Sequence, residues 1–368
     1  MLKGAPILAG NILDAEFITN LIQHDDGYRV LSGIRNSPSH WEAEKKKVLA
    51  MIRQFGVPSL FITLSAAETR WPELLKILKF TVDKENITEE EAESLPYSEK
   101  VRLIQSDPFI CATYFEIRFQ ELRKTWSSSV GPFGSYKINH YYYRIEFQHR
   151  GSPHAHMMLW LDKAPSFDQN NSMSTSEIEK FIDEIISCSS DEIGEDLVNL
   201  QTHRHSCYPK PGRPCRFEIP FFPMDKTEVL FELNTSDLRA KGFKQLALTL
   251  REKLESIPTE VNSFEAFLTF AGITHEEYIL AIRSVLKRPK ILLKRSPKDV
   301  YVNPYSKKII QLHKVNMDIQ FILDPFACSL YIVNYINKGD RSMSRLLRAA
   351  VEEAKKDNKS VQQSLRSI

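Results

Sequence analysis

The chain has 368 residues and a mass of 42.5 kDa, with 42% hydrophobic and 26% charged residues. At about 150 residues per domain this allows two or three units, or one large domain with insertions, and it excludes a wholly disordered chain. Lys and Arg number 49 against 47 Asp and Glu, a net of +2, so any surface for a polyanion must be local.

Five cysteines (Cys111, Cys188, Cys207, Cys215 and Cys328) are an odd number, thinly spread, which fits a reducing compartment better than a disulfide framework. The opening Met1 to Pro6 has no long apolar core, and no run of about 18 apolar residues follows anywhere. The expectation is a soluble intracellular protein without signal peptide or membrane span.

Residues 1–40 show weak periodicity and read as an N-terminal extension. From Trp41 to Phe55 the pattern is helical, with Val48, Met51, Ile52 and Phe55 at spacings of three and four. Gly56 to Pro58 break it, and Leu60 to Leu64 read as a buried strand. Ser65-Ala-Ala-Glu68 matches a capping box and predicts a helix start there. The stretch 81–100 carries seven acids against two lysines and reads as a solvated connection. Asp107 and Pro108 open a helix bearing Cys111, Phe115 and Leu122.

Two strands are expected next, at about Ser135 to Gln148 and His154 to Leu161, joined by a hairpin through Gly151. Residues 164–176 read as loose, 177–188 as helical, 201–223 as irregular and 235–290 as helical again. Residues 281–314 hold ten Lys/Arg against one Asp. A strand from Asp318 to Leu323 leads to a last helix at about 325–338. No internal repeat is evident.

In the second hairpin strand His154 and His156 share a face, because side chains alternate. Two neutral imidazoles on one face make a clamp for a divalent metal ion. Glu146 or Gln148, on one face of the preceding strand, could add a third, oxygen ligand. Far downstream, Asp324-Pro325 opens a helix that carries Tyr331 and Tyr335 at i and i+4, with Lys338 one turn later and Gly339 as its stop. A phenol is a poor nucleophile at its free pKa of about 10, but near a metal-bound phosphate it can attack phosphorus.

Two further clusters carry chemistry. His203, His205, Cys207 and Cys215 have the ligand types of a structural zinc site, at irregular spacing. Arg283, Lys287, Arg288, Lys290, Lys294 and Arg295 could track a phosphate backbone. Each also has a bland reading, as a Pro-rich loop and as a solvated face.

Taken together, the segments Phe61 to Ser65 through Trp71, Glu146 to His156, and Asp318 to Pro325 through Lys338 resemble the replication-initiator domain of Helitron transposases. These belong to the rolling-circle (HUH) endonucleases. The resemblance runs from about Trp41 to Arg341. It implies an α+β fold: a central antiparallel sheet with flanking helices and a large insertion at about 164–315. The domain would span 41–345, leaving 346–368 as a tail. It implies metal ligands His154 and His156 with Gln148 or Glu146 as the third, Gln148 being preferred as nearer the hairpin, Mg²⁺ or Mn²⁺ as the ion, and Tyr331 as nucleophile. Tyr335 would be a second tyrosine and Lys338 would neutralise phosphate charge.

The implied activity is nicking and joining of single-stranded DNA at element ends in rolling-circle transposition, through a 5′-phosphotyrosine, in the nucleus. Such domains are coupled to a helicase. The chain shows no GxxxxGK[ST] motif, so the helicase is expected elsewhere, in cis or in trans. The rival readings are a non-cutting, single-strand-binding or assembly module derived from such a transposase, and a zinc-organised scaffold. A histidine-triad hydrolase is disfavoured because position 158 is Met.

Overall fold

The computed structural model describes residue 16 and residues 38–128, 131–148, 151–168, 171–204, 215, 217–233 and 240–324. The chain divides into two compact units, one of residues 57–323 and one combining 1–56 with 324–368. In the latter the described element is helix α1, Pro38–Phe55, which ends where the Gly56 amide donates to the Ile52 carbonyl at 3.0 Å with φ of 79°. A positive φ there suits glycine, which lacks a Cβ to clash.

The larger unit is built on a four-stranded antiparallel sheet in the order β2-β3-β1-β6: β1 is Leu60–Ser65, β2 Ile138–Phe147, β3 Pro153–Leu161 and β6 Asn316–Phe321. On one face Leu60, Ile62 and Leu64 of β1 line up with Ala155, Met157 and Leu159 of β3 and Met317, Ile319 and Phe321 of β6. These residues are buried with Trp71 and, from the α2 helix that it precedes (Pro72–Asp83), Leu74 and Leu78, with Phe115 and Phe119 of α5 (Pro108–Lys124), and with Phe181 of α6 (Ser172–Ile185). The mixed α+β architecture with a small antiparallel sheet and flanking helices agrees with expectation.

The outer edge of β6 is closed by a side chain. Gln201, fully buried at the end of α7 (Glu195–Gln201), donates its amide to the Met317 carbonyl and accepts from the Met317 amide, both at 2.9 Å. A glutamine amide has the donor and acceptor that a missing neighbouring strand would supply.

Two expectations are corrected. Ser65 caps no helix: it ends β1, a single 3₁₀ turn follows at Glu68–Arg70 without a side-chain cap, and α2 begins at Pro72. The acidic stretch 81–100 is not a plain connection. It contains α3 (Glu89–Ser94), whose Thr88 and Glu91 form a reciprocal capping box, and the start of α4 (Tyr97–Ser106). Lys79 reaches Asp83 at 2.8 Å, Glu99 at 3.1 Å and Glu85 at 3.2 Å, so the acids that suggested solvent are partly spent on tying helices together.

Within the expected insertion the chain does two things. Ile178 to Leu197 and Val302 to Ile310 pad the main core. Between them a second core gathers Leu250 and Leu254 of α8 (Ala240–Leu254), Phe267 of α9 (Phe264–Ala271), and Tyr278 and Ile282 of α10 (His275–Val285). A two-stranded ribbon of β4 (Glu228–Leu230) and β5 (Lys290–Leu292) adjoins both. No described helix is long and apolar enough to cross a membrane.

Phe115 is fully buried and touches Phe119 and Trp71 rings at 6.1 and 6.4 Å, so Phe115→Ala should cost about 3–5 kcal/mol, measurable as a lower urea midpoint. A loss below about 1 kcal/mol would mean the site collapses around the cavity or the packing is wrong. His313, at the end of α11 (Lys307–His313), is 2% exposed beside Phe115 and Trp71, and burial with the nearby Arg118 pushes its imidazole down to about 3. The unfolded chain takes up that proton near pH ~6.5. Stability is therefore full above that pH and is lost as pH falls toward 3. Urea midpoints at pH 7 and pH 5 should drop less for His313→Gln than for wild type; equal drops would show that this imidazole is not the acid-sensitive group.

Candidate functional site

The second face of the sheet is polar where β1, β2 and β3 meet. The strand registers place side chains in two rows: Glu146, His154, Ser65 and Asn316, then Arg144, His156, Thr63 and Asp318. Both rows follow from the period-two alternation that sends the intervening apolar residues to the core.

His154 and His156 have ring centroids 4.5 Å apart, nearly perpendicular. Ser65 Oγ lies 2.8 Å from His154 Nδ1, and Glu146 Oε2 lies 3.1 Å from His156 Nε2. The Phe61 ring stacks on His156 at 6.1 Å. The hydrogen bond from His156 holds the Glu146 carboxyl below the usual carboxylate range. An ionised carboxylate only accepts, so His156 Nε2 carries the proton. Burial, helped by His156, pushes the His154 imidazole down to about 4, so this ring is neutral at physiological pH. Its Nδ1 faces the Ser65 hydroxyl, which leaves Nε2 as the nitrogen that Ser65 does not hold. Burial likewise lowers Arg144, in the adjacent row.

Two imidazoles, one of them kept neutral by burial, and a carboxylate are a donor set that suits a divalent ion. In the geometry present the carboxylate is turned onto His156, and among the described residues no three or more His, Cys, Asp or Glu converge as a metal cluster. A cation would have to take the place of the proton now shared by His156 and Glu146.

Of the two expected oxygen ligands, the structure brings only Glu146 onto the histidines. Gln148 lies beyond the end of β2, exposed, in the turn closed by the Gly151 amide on the Gln148 carbonyl at 2.7 Å with Gly151 at φ of 81°. The preference for Gln148 rested on closeness along the chain. Pairing across the hairpin instead puts Glu146 directly opposite His154.

Tyr331, Tyr335 and Lys338 lie outside the described residues, as do His205 and Cys207. His203 and Cys215 do come together, with Nε2 and Sγ 3.3 Å apart.

The basic run is not one surface. Arg295 is 5% exposed, donates to the Asp299 and Val302 carbonyls at 2.6 Å each, and lies 4.3 Å from the centre of the Phe221 ring. It is an internal strut, which corrects its expected place on a DNA-facing surface. Arg283 donates to the Phe231 carbonyl at 2.9 Å, and Lys290 pairs with Glu218. Lys287, Arg288 and Lys294 are exposed.

Two residues of this face were missed from sequence. Ser65 has the sequence pattern of a helix cap, which hides its place beside His154. Asp318 sits two strands from His156 across Thr63, accepts from Gln320 at 2.6 Å, and is pushed up to about 6 by burial. The parity of each within its strand was readable. Which strands lie side by side was not.

Residues 19–159 match the family model described as the Helitron helicase-like domain at the N-terminus. No curated protein and no solved structure matches the chain. The matched stretch holds β1, the hairpin, both histidines, Glu146 and Ser65, and it stops short of Asp318 and the tyrosines. Over those residues the chain is similar to a Helitron-related domain.

Proposed function

We propose that this protein is a metal-dependent, HUH-type endonuclease that nicks and rejoins single-stranded DNA in rolling-circle transposition of a Helitron-like element. The observation that carries this reading is the pair His154 and His156 with Glu146 on one sheet face, within a stretch similar to a Helitron-related domain.

His154, His156 and Glu146 would hold Mg²⁺ or Mn²⁺, which when bound would polarise the scissile phosphate and offset its charge. The chain's own groups do the rest. Ser65 orients the His154 ring, and burial keeps that ring neutral and able to donate a lone pair. The Tyr331 oxygen, giving up its proton, attacks phosphorus; the phosphorus–O3′ bond breaks and the departing 3′ oxygen takes a proton. The products are a 5′-phosphotyrosine and a free 3′-hydroxyl, so the phosphodiester energy is kept for rejoining. Asp318, which burial pushes up to about 6, is a carboxyl on the same face suited to exchange such protons. Tyr335 would act as the second tyrosine in strand transfer, and Lys338 would neutralise phosphate charge. Lys287, Arg288 and Lys294 would follow the strand's backbone, and a helicase, in cis or in trans, would open the duplex.

The test is to incubate the full chain with labelled single-stranded DNA and Mn²⁺ and run a denaturing gel. Wild type should form a covalent adduct, and Tyr331→Phe and His154→Ala should abolish it. An adduct surviving in either variant would assign the chemistry to other residues; strand binding with no adduct at all would favour the non-cutting module. Glu146→Ala should weaken Mn²⁺ binding about tenfold or more, and Gln148→Ala less than about twofold. The reverse order would restore Gln148 as the ligand.

A further inference from the structure

We propose that Arg144 grips the scissile phosphate beside the metal ligands, its guanidinium meeting two non-bridging oxygens and offsetting the charge that builds on them. This role rests on the nicking reading for its chemistry, while the phosphate contact itself can be measured without any reaction.

Strand register puts Arg144 in position. Within β2 it stands two residues before Glu146, so both side chains leave the same face, and it is the direct cross-strand partner of His156. Side chains directly opposite in an antiparallel pair start about 5 Å apart, well inside the reach of an arginine. The next row of that face is Tyr142, Met158 and Phe61, with Met158 and Phe61 buried. Arg144 therefore stands where the apolar part of the face gives way to the rows that carry the imidazoles.

Charge singles it out. The two polar rows are Glu146, His154, Ser65 and Asn316, then Arg144, His156, Thr63 and Asp318, and Arg144 is the one lysine or arginine in them. A divalent ion held by the Glu146 carboxylate leaves a single net positive charge, which matches the single negative charge of a phosphodiester. Once an ionised oxygen has closed on phosphorus, the phosphoryl oxygens carry a second negative charge. Arg144 supplies the further positive charge that only this transition state calls for.

The neighbours leave that charge to an anion from outside. Glu146, the acid that shares its strand and face, is drawn onto His156 at 3.1 Å. Burial works against the charge of the guanidinium, more than the nearby Glu146 and Tyr142 favour it, so an arriving phosphate relieves a cost already present. The planar fork of arginine fits two phosphate oxygens at once, where a lysine ammonium acts as a point charge.

Arg144→Gln and Arg144→Lys in the full chain test this, each checked first for its melting temperature. With no metal added, fluorescence anisotropy of a labelled single-stranded oligonucleotide across a range of salt reads the contact. Arg144→Gln should lower the slope of log affinity against log salt by about 0.7, the value of one phosphate, and Arg144→Lys should keep it. With Mn²⁺ and saturating oligonucleotide, the rate of adduct formation should fall about 100-fold or more in Arg144→Gln and recover in part in Arg144→Lys. Mn²⁺ affinity should not fall, because a positive neighbour of the ion has been removed. A wild-type slope or a wild-type rate in Arg144→Gln would overturn the proposal, as would a rate loss that tracks weakened Mn²⁺ binding, the mark of a mere brace for Glu146. Where Arg144→Gln melts early, Arg144→Lys carries the test: its slope should hold while its rate falls, and an unchanged rate would defeat the role of the fork. If wild type forms no adduct, the nicking reading falls, and the salt slope alone then upholds or overturns the phosphate contact.

Discussion

In β3 the inward row of Ala155, Met157, Leu159 and Leu161 locks the sheet onto its helices, and the same pleat turns His154 and His156 to the opposite face. The two roles cannot be separated. A slip of one residue in the pairing with β1 would bury the imidazoles among Phe115, Leu74 and Phe181 and expose the apolar row. Register is held because that error costs the burial of several large side chains at once, each worth roughly 1.5–3 kcal/mol. The chemistry of the polar face is therefore as well placed as the core is well packed.

That face carries an electrostatic tension. Burial makes a charged His154 unfavourable, while the ionised Glu146 is held by a proton on His156. One imidazole is thus kept as a lone-pair donor and the other is engaged by the carboxylate. An arriving cation would meet a ring already neutral, an oriented Nδ1 on Ser65, and a carboxylate whose negative charge is already developed. Such pre-organisation lowers the cost of ordering ligands when an ion binds.

The segment between β3 and β6 shows how charge runs mislead when read alone. Arg295 lies in a lysine- and arginine-rich run, yet it is buried, joined to two carbonyls and stacked on Phe221. Its role is to hold the segment that passes through Val302, and that same segment clasps His203. Only the exposed members of the run present charge to solvent.

Much of this was legible in the sequence because it depends on neighbours along the chain. The apolar run from Met157 to Leu161 and the three–four spacing from Trp41 to Phe55 identified a strand and a helix. Asp107-Pro108 marked a helix start, and the His-x-His pair was placed on one face by parity alone. The quoted motifs between Phe61 and His156 fall within residues 19–159, which match a Helitron-related family model; the motif from Asp318 onward lies outside that match. What the tertiary structure decided was every question of who sits beside whom. It turned Ser65 from an expected cap into a partner of His154, moved the oxygen contact from Gln148 to Glu146, and brought Asp318 into line with His156 across Thr63. It also drew His203 to Cys215. The physical reason is that strand order and register are set by burial summed over a whole face, a quantity that no local window contains.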